Sequence, residues 1–207
     1  MDVRRLAREE RADLADLLAT LSPEEWEART LCDRWRVHEV VAHMVSYDEL
    51  DTRGLLRRLA EGRLHPDRAN AVGVAEYASR SPESLLALLR GHLEPRGLTS
   101  GFGGRIGLVD AIIHHQDIRR PLGRPREIPA ERLRPALSFA MVAPPIRGFW
   151  RTRGLRLVAT DLDWAGGVGR HVEGPGEALL LAIAGRRGVV EQLSGPGQPV
   201  LAARIGG

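Results

Sequence analysis

Three side chains in this sequence have the types and the spacing to bind a metal ion: His43, Asp110 and His114. Asp110 and His114 are four residues apart in the segment 108–121, and residues four apart lie on the same face of a helix. His43 interrupts the otherwise apolar run 40–45. Two imidazoles and one carboxylate are a common ligand set for zinc, and catalytic zinc sites keep a fourth position open for water or substrate. These residues therefore predict a metal site with an open position.

The same residues also have a purely structural explanation. An Asp-x-x-x-His pair occurs often by chance on helices, and spacing alone favours that interpretation. His43 and His114 would then be buried histidines with hydrogen-bond partners, and Asp110 would pair with an arginine. The next residue, His115, points about 100° away from His114 around a helix. We therefore expect His115 to stay away from the same ion, with a surface or a substrate-facing role open.

Two further side chains near the histidines have alternative roles. Asp117 lies one turn beyond His114, where its carboxylate can accept a hydrogen bond from the imidazole and fix its tautomer. The alternative is a surface aspartate that pairs with Arg120. Cys32 is the single cysteine, which excludes an intramolecular disulfide and a multi-cysteine zinc site. We expect Cys32 to be packed rather than reactive.

The elements that must position these side chains are predicted to be mostly helices. Apolar spacings of three, four and seven, together with Ser-Pro starts after residues 22 and 81, predict helices at 3–21, after 22, from 37, at 52–61, after 81, across 110–114 and from 128. The segment 62–70 is predicted to be a loop, with a further turn or two at 72–79. The glycine-rich segment 99–104 lacks the Gly-Lys-Ser/Thr ending of a phosphate-binding loop and follows no strand, so we assign it no nucleotide role.

The pattern changes after Pro144-Pro145. Short apolar runs between glycines predict strands at 155–159, 168–172 and 198–205, with a helix at 177–184. The four tryptophans are expected in the core or in pocket walls; they are Trp26, Trp35, Trp150 and Trp164. The chain is thus predicted to be mainly α, with a helical domain at 1–148 and a small α/β unit at 149–207.

Composition limits the classes of function. A chain of 207 residues is long enough to bury a sizeable core. Its 30 basic residues, all arginine, face 27 acidic ones, and this net charge of +3 argues against nucleic-acid binding. The amino terminus lacks the apolar core of a signal peptide, and no apolar run reaches the length of a membrane span. We therefore expect a cytoplasmic protein without nucleic-acid or membrane partners, and leave a homo-oligomer open.

Several segments resemble one protein family. Residues 31–44, with Cys-x-x-Trp at Cys32 and Trp35 and Val-Val-Ala-His ending at His43, resemble the region around the first metal ligand in the mycothiol-dependent maleylpyruvate isomerase family. Residues 110–117, where Asp110 precedes His114 by four, resemble that family's second metal segment. The tail segments 157–164 and 174–181 are similar to the family as well, so the resemblance covers most of the chain.

The resemblance implies a fold and an activity. The fold would be a DinB-like four-helix bundle with a small C-terminal α/β addition, and His43, Asp110 and His114 would bind zinc or another divalent metal. Mycothiol would be the thiol cofactor of an isomerase or S-transferase that acts on a small electrophilic substrate, expected to be anionic. Arg36, Arg119 and Arg120 are then candidate catalytic residues that anchor substrate carboxylates. The alternative for each arginine is a solvated charge near a helix end.

One residue departs from the family's pattern. The better-known isomerases have glutamate where this chain has Asp110, whose side chain is shorter. The departure keeps an alternative function open, a DinB-like module that binds a metal or a ligand without catalysis and acts as a sensor or partner protein. In either case we expect substrate or ligand specificity to lie in the loops 62–72 and 95–104.

Overall fold

Helices make up most of the protein, as the sequence predicts. The computed structural model describes residues 2–206. Its helices are α1 (Val3–Leu18), α2 (Pro23–Trp26), α3 (Val37–Ser46), α4 (Thr52–Glu61), α5 (Pro66–Glu76), α6 (Pro82–Gly91), α7 (Arg105–Arg119), α8 (Ala130–Ala140), α9 (Gly148–Thr152), α10 (Gly176–Ile183) and α11 (Gln198–Gly206). Shorter 3-10 segments lie at Gly97–Gly104, Pro144–Ile146 and Arg187–Gln192, and the strands are β1 (Leu155–Ala159), β2 (Ala165–Gly167) and β3 (Arg170–Gly174).

Side-chain caps fix where several of these helices begin. Ser22 accepts a hydrogen bond from the Glu25 N–H while the Glu25 carboxylate accepts one from the Ser22 N–H, which is the predicted capping box. Two other helices have a single capping bond: the Ser81 hydroxyl accepts from the Ser84 N–H at the start of α6, and the Asp51 carboxylate accepts from the Gly54 N–H at the start of α4. Because these caps satisfy the free N–H groups of the first turn, they define where these helices of the first half of the chain begin.

The described chain folds as two compact units, one ending at Pro125 and one beginning at Arg126. In the first unit, α1 packs on α6 and α7, and α3 packs on the same two helices. Its apolar core includes Leu14, Val41, Leu85 and Ile118, each fully buried. The predicted domains, 1–148 and 149–207, stay a prediction.

The second unit contains the predicted mixed structure. Its three strands have the order β2-β1-β3, with β1 antiparallel to β2 and parallel to β3. Leu157, the central residue of β1, pairs with Gly166 and Val172. Helix α10 packs on β1, β3 and α8. The predicted α/β character of this region is therefore present.

Two sequence predictions of secondary structure are wrong. Residues 66–70, predicted to be loop, begin α5, because Pro66 occupies a first-turn position and the small residues Ala69 and Gly73 are buried one turn apart. A side chain at Gly73 would meet Ser46 and Arg58, so α5 packs too closely to show an ordinary apolar stripe. Residues 198–205, predicted to be a strand, form α11, whose buried Leu201 and Ile205 have helical spacing.

The tryptophan prediction holds for part of the set. Trp26 is buried and Trp35 is half-buried, but Trp150 is 59% exposed beside the exposed Phe149. Trp150 lies on the short helix α9, whose buried residues are Gly148 and Thr152. Across the described residues, no helix is both long enough and apolar enough to span a bilayer.

Candidate metal centre

The structure brings together the three residues predicted as metal ligands. α3 presents His43 and α7 presents Asp110 and His114, one turn apart. Asp110 Oδ1 lies 3.7 Å from His43 Nε2 and 3.5 Å from His114 Nε2. One ligand atom from each of the three residues lies within 4.8 Å of the others. The two imidazole rings meet edge to face with centroids 5.0 Å apart.

The separations in this cluster suit a bound ion better than direct contact. Hydrogen bonds between nitrogen and oxygen are about 2.7–3.2 Å long, so 3.5 and 3.7 Å are too long. Two atoms bonded to one tetrahedral zinc ion lie about 3.3–3.4 Å apart, given bonds of 2.0–2.1 Å. The donor set of two neutral nitrogens and one carboxylate oxygen is also one that zinc accepts. The residues present therefore fit a divalent ion.

Aromatic rings and buried helix faces enclose most of the cluster. His43 and His114 are each 7% exposed, whereas the side chain of Asp110 is 23% exposed. The ring centroid of Trp35 lies 4.8 Å from that of His43, and the rings of Tyr47 and His43 meet edge to face with centroids 5.5 Å apart. Solvent and small molecules thus reach the cluster from the side of Asp110.

The other nitrogen of His114 is held by Asp117. Asp117 is fully buried, and its Oδ2 lies 2.9 Å from His114 Nδ1. Because a carboxylate accepts, Nδ1 carries a proton, and Nε2 is the nitrogen that faces the cluster. The thiol of Cys32, which is half-buried, donates to the same carboxylate oxygen over 3.1 Å. Of the two roles predicted for Asp117, the structure shows the buried acceptor for His114 and not the surface aspartate. Cys32 is packed against Asp117.

A second set of potential metal ligands shares His114. Cys32, His114 and Asp117 also have ligand atoms within 4.8 Å of one another. In this set His114 Nδ1 and Asp117 are at hydrogen-bonding distance, and the Cys32 sulfur is 4.0 Å from the imidazole. The contacts are those of a closed hydrogen-bonded group, whereas the set of His43, Asp110 and His114 leaves room between its atoms. We therefore identify the latter as the candidate metal site.

The electrostatics of the three residues differ. Burial lowers the pKa of His43, so its imidazole is neutral and ready to act as a ligand. Burial also acts to raise the pKa of Asp110, but the two imidazoles outweigh it and hold that pKa well below its usual value. Burial opposes the charge of His114, yet Asp110 and then Asp117 raise its pKa well above the ordinary value. Without a metal, His114 is therefore the residue that carries a proton.

His115 faces a different side of α7 from His114 and is part of a separate buried network. It is completely buried, and its Nδ1 lies 2.8 Å from Oε1 of Glu10, which is also buried. Arg119 donates from Nε to His115 Nε2 over 2.7 Å and from Nη1 to the Arg124 carbonyl. The surface or substrate-facing role left open for His115 is thus not the one it has, because α1 covers this face of α7.

The predicted substrate arginines have other neighbours. Arg119 is half-buried in the network of His115, and Arg36, at the start of α3, makes an exposed ion pair with Glu27. Arg120 forms the C-terminal cap of α7 and is half-buried. The catalytic roles of these three arginines stay predictions.

Sequence reasoning did not find Glu10, Trp35 as a neighbour of both imidazoles, or Tyr47. A signal for Glu10 was present, since it falls between the buried Ala7 and Leu14 at helical spacing on α1. A carboxylate on an apolar face needs a buried partner. The signal for Tyr47 was its position four residues after His43, on the same face of the chain as it leaves α3.

Comparisons with known proteins give one family of similar sequences and structures. Residues 7–96 match the model of the mycothiol maleylpyruvate isomerase N-terminal domain, a segment that contains His43. A crystal structure of a histidine-to-alanine mutant of the mycothiol-dependent maleylpyruvate isomerase is similar, with a TM-score of 0.61 and 16% identity over 95% of this chain and 92% of that one. A second crystal structure of the mycothiol-dependent maleylpyruvate isomerase gives a TM-score of 0.53 and 15% identity, over 89% and 88%.

These structures share the fold at low identity, and the sequence matches no curated protein. The predicted fold class, mainly α and DinB-like with a small C-terminal α/β addition, is confirmed. The matched segment 7–96 includes α3, which positions His43, so the sequence match and the shared fold point to the same group of proteins. Residues 7–96 of this chain thus match the mycothiol maleylpyruvate isomerase N-terminal domain, and the chain shares its fold with the mycothiol-dependent maleylpyruvate isomerase.

Proposed function

We propose that this protein is a metal-dependent enzyme that uses mycothiol as its thiol in the isomerisation of, or transfer to, a small electrophilic substrate. The observation that carries the proposal is the open cluster of His43, Asp110 and His114. The match of residues 7–96 to the mycothiol maleylpyruvate isomerase N-terminal domain supports the choice of thiol. A closed cluster of the same residues would have supported a structural role instead.

The residues have distinct parts in this proposal. His43, Asp110 and His114 would bind the ion, and zinc suits the donor set; the ion would supply a positive charge that favours the thiolate form of a coordinated thiol. Asp117 keeps the Nδ1 proton of His114 in place, so that Nε2 offers its lone pair. Trp35 and Tyr47 cover the His43 ring and limit the access of water.

Both reaction types need the same nucleophile. Addition of a thiolate sulfur to a conjugated double bond forms a C–S bond and turns the double bond into a single bond. Rotation and elimination then restore the double bond in the other geometry, with the sulfur leaving as thiolate. Displacement of a leaving group by the same sulfur gives transfer. The partially exposed Asp110 marks the side from which an electrophile would approach.

Metal binding is the first test. We expect about one divalent ion per chain by elemental analysis of the wild type, as in a three-ligand catalytic site, and close to none in His43→Gln. His38→Gln is the matched control, because His38 lies on the same helix and bonds to the Arg80 carbonyl outside the cluster. Equal metal content in the two variants would remove His43 from the site and, with it, the proposal.

The length of the Asp110 side chain gives a second test. Asp110→Ala should lose the ion, while Asp110→Glu, which restores the family's residue, should retain it. Thiol consumption with a panel of electrophiles then tests the activity. We expect turnover with mycothiol that disappears with a chelator and returns with zinc. Loss of metal without any change in thiol turnover would contradict the enzymatic proposal and favour a non-catalytic binding module.

A further inference from the structure

A cleft lies beside the candidate metal centre within the first unit of the fold. It has a volume of about 280 Å³ and is formed where α3 ends, α4 begins and the 3-10 segment after α6 passes over them. Its size is just below the usual range for small-molecule sites, roughly 300–1,000 Å³. The cleft thus has room for a small ligand or for one part of a larger one.

Tyr47 connects this cleft to the cluster. Its side chain lines the cleft, and its ring meets the ring of His43 edge to face, with centroids 5.5 Å apart. The ring is held in place because its hydroxyl donates to Asn70 Oδ1 over 2.7 Å. A molecule in the cleft is therefore one aromatic ring away from a candidate metal ligand.

The polar side chains of the lining are one carboxylate, from Asp51, and the hydroxyls of Thr52 and Tyr47. Leu50, Leu55 and Leu98 contribute the aliphatic surface. Asp51 uses one carboxylate oxygen to cap α4 through the Gly54 N–H. Among the described residues, those that line the cleft include no arginine or histidine, so an anionic group would meet a negative charge without a compensating one.

The positive charge of Arg58 lies near the cleft but is bound to other side chains. The Arg58 guanidinium lies 5.1 Å from the centre of the Tyr47 ring, but it is 2% exposed. It donates to the Ser46 carbonyl and hydroxyl and pairs with Glu76. Arg58 thus supports the wall formed by Tyr47 and offers no contact to a ligand in the cleft.

Gly97 allows the 3-10 segment after α6 to pass close to the end of α3. Gly97 has a φ of +53°, and a Cβ added there would lie 3.2 Å from the Leu50 carbonyl oxygen and 3.3 Å from that of Tyr47. Glycine adopts this left-handed conformation without steric cost. The chain can therefore pass close to the end of α3, which brings the neighbouring Leu98 to the cleft even though it is 41% exposed.

We propose that this cleft binds an uncharged aliphatic group of the electrophile and so selects alkyl-bearing electrophiles over dicarboxylates. The inference rests on the proposed function and narrows its substrate class, because the three leucines and the lone carboxylate disfavour an anion. Tyr47 is the link between the cleft and the cluster, because it lines the cleft and its ring contacts that of His43. Leu98 is the specificity-determining residue that is easiest to change, since it is partly exposed.

Binding to the metal-free protein tests the cleft independently of turnover. We expect primary alcohols from propanol to hexanol to shift the NMR signals of the Leu55 and Leu98 methyl groups in chelator-treated protein. Affinity should rise about fourfold with each added methylene until the cleft is full, as expected for roughly 0.8 kcal/mol per buried methylene. Carboxylates of matched chain length should bind more weakly. Affinity that does not depend on chain length, or that is equal for carboxylates, would overturn the inference.

Paired variants locate the binding. Leu98→Asn should weaken the binding of hexanol by about tenfold, the effect of losing one large aliphatic contact. Leu56→Asn is the control, because Leu56 is 62% exposed on α4 and does not line the cleft. Circular dichroism should show both variants folded. An equal loss of affinity in the two variants, or none in Leu98→Asn, would contradict the assignment of the cleft.

Kinetics separate this inference from the proposed function. With saturating mycothiol, Leu98→Asn should raise KM for alkyl electrophiles about tenfold relative to small polar ones and change kcat little, since it removes binding rather than chemistry. Alcohol binding in the cleft combined with no thiol turnover by the metal-loaded wild type would refute the proposed function. Thiol turnover with unchanged alkyl selectivity in Leu98→Asn would instead refute the role of the cleft.

Discussion

His114 and His115 are adjacent on α7 and have opposite surroundings. His114 faces α3 in a cluster whose facing atoms are 3.5 and 3.7 Å apart and whose carboxylate is partly exposed. His115 faces α1, where Glu10 and Arg119 contact its two nitrogens at 2.8 and 2.7 Å and where both His115 and Glu10 are completely buried. The residue types are almost the same, two histidines each paired with a carboxylate.

The difference lies in whether each group has its partners already. The network of His115 is satisfied by the chain itself, so adding a ligand would break existing hydrogen bonds. The cluster of His114 has distances that no hydrogen bond uses, and an ion would satisfy all three groups at once. Separation and exposure, rather than residue type, therefore distinguish the candidate metal-binding cluster from the hydrogen-bonded network of His115.

Removing Glu10 should have the largest effect. Glu10→Ala leaves the buried His115 Nδ1 without its acceptor, which costs about 1–3 kcal/mol, and the cavity left by the lost side chain adds to that cost. Urea unfolding of chelator-treated protein should show this loss in the free energy of unfolding. Glu9→Ala is the control, because Glu9 pairs with Arg5 near the surface and should cost less than about 1 kcal/mol. Similar losses in both variants would contradict a structural network at His115.

Removing the charge of Asp117 should weaken the metal site without abolishing it. Asp117→Asn retains the shape of the side chain but no longer pairs an anion with His114 Nδ1, and changes of this kind cost about 10–100-fold in metal affinity. Competition with a chelator of known affinity measures the change. An unchanged affinity would mean that His114 needs no help from Asp117, and the contrast with the fully partnered His115 would weaken.

The pH dependence should have opposite signs for stability and for metal binding. The folded pKa of His114 is raised, mainly by Asp110 and Asp117 against the opposing effect of burial. In metal-free protein this stabilisation is fully present below the unfolded pKa of about 6.5 and is lost as pH rises through the folded pKa. The ion must displace the same proton, so its affinity should rise about tenfold per pH unit over that window.

Calorimetry of metal binding in two buffers of different ionisation enthalpy measures this proton release directly. Unfolding of the metal-free protein as a function of pH measures the stability. A metal affinity that stays flat from about pH 6.5 upward would mean that His114 is already neutral without a metal. That result would contradict the electrostatic description of the cluster.

Changing Cys32 should have the smallest effect. Its thiol donates only a weak hydrogen bond to Asp117, so Cys32→Ala should change metal affinity by less than about threefold, on the order of 0.5 kcal/mol. The same chelator competition serves as the measurement. Loss of the metal in this variant would show that Cys32, His114 and Asp117 form the binding set in place of His43, Asp110 and His114.

The sequence predicted the parts of the site that depend on local spacing. Asp110 and His114 are one turn apart on any helix, and the apolar run around His43 indicates a buried face. The partner of His115 depends on which helix covers α7, and Glu10 is 105 residues away. Such a contact follows from tertiary packing, which no local pattern of one segment encodes.

The errors in secondary structure have a similar origin. Helix α5 packs through Ala69 and Gly73 instead of a stripe of large residues, so its apolar periodicity is weak. The C-terminal segment 198–205 contains few residues, and its short apolar run suits a strand or a helix equally well. Only the burial of Leu201 and Ile205 on one face decides for α11. Short or closely packed elements depend on their neighbours more than on their own sequence.

The buried link between Glu10 and His115 also bears on the face of α7 that carries His114 and Asp110. By joining α1 to α7, it opposes rotation of α7 about its long axis, which would change the direction of His114 and Asp110. The candidate ligands are thus pre-organised, and metal uptake would need side-chain adjustment instead of helix movement. Because little rearrangement would be needed, less of the binding free energy would be spent on ordering the site, and the affinity for an ion would be higher.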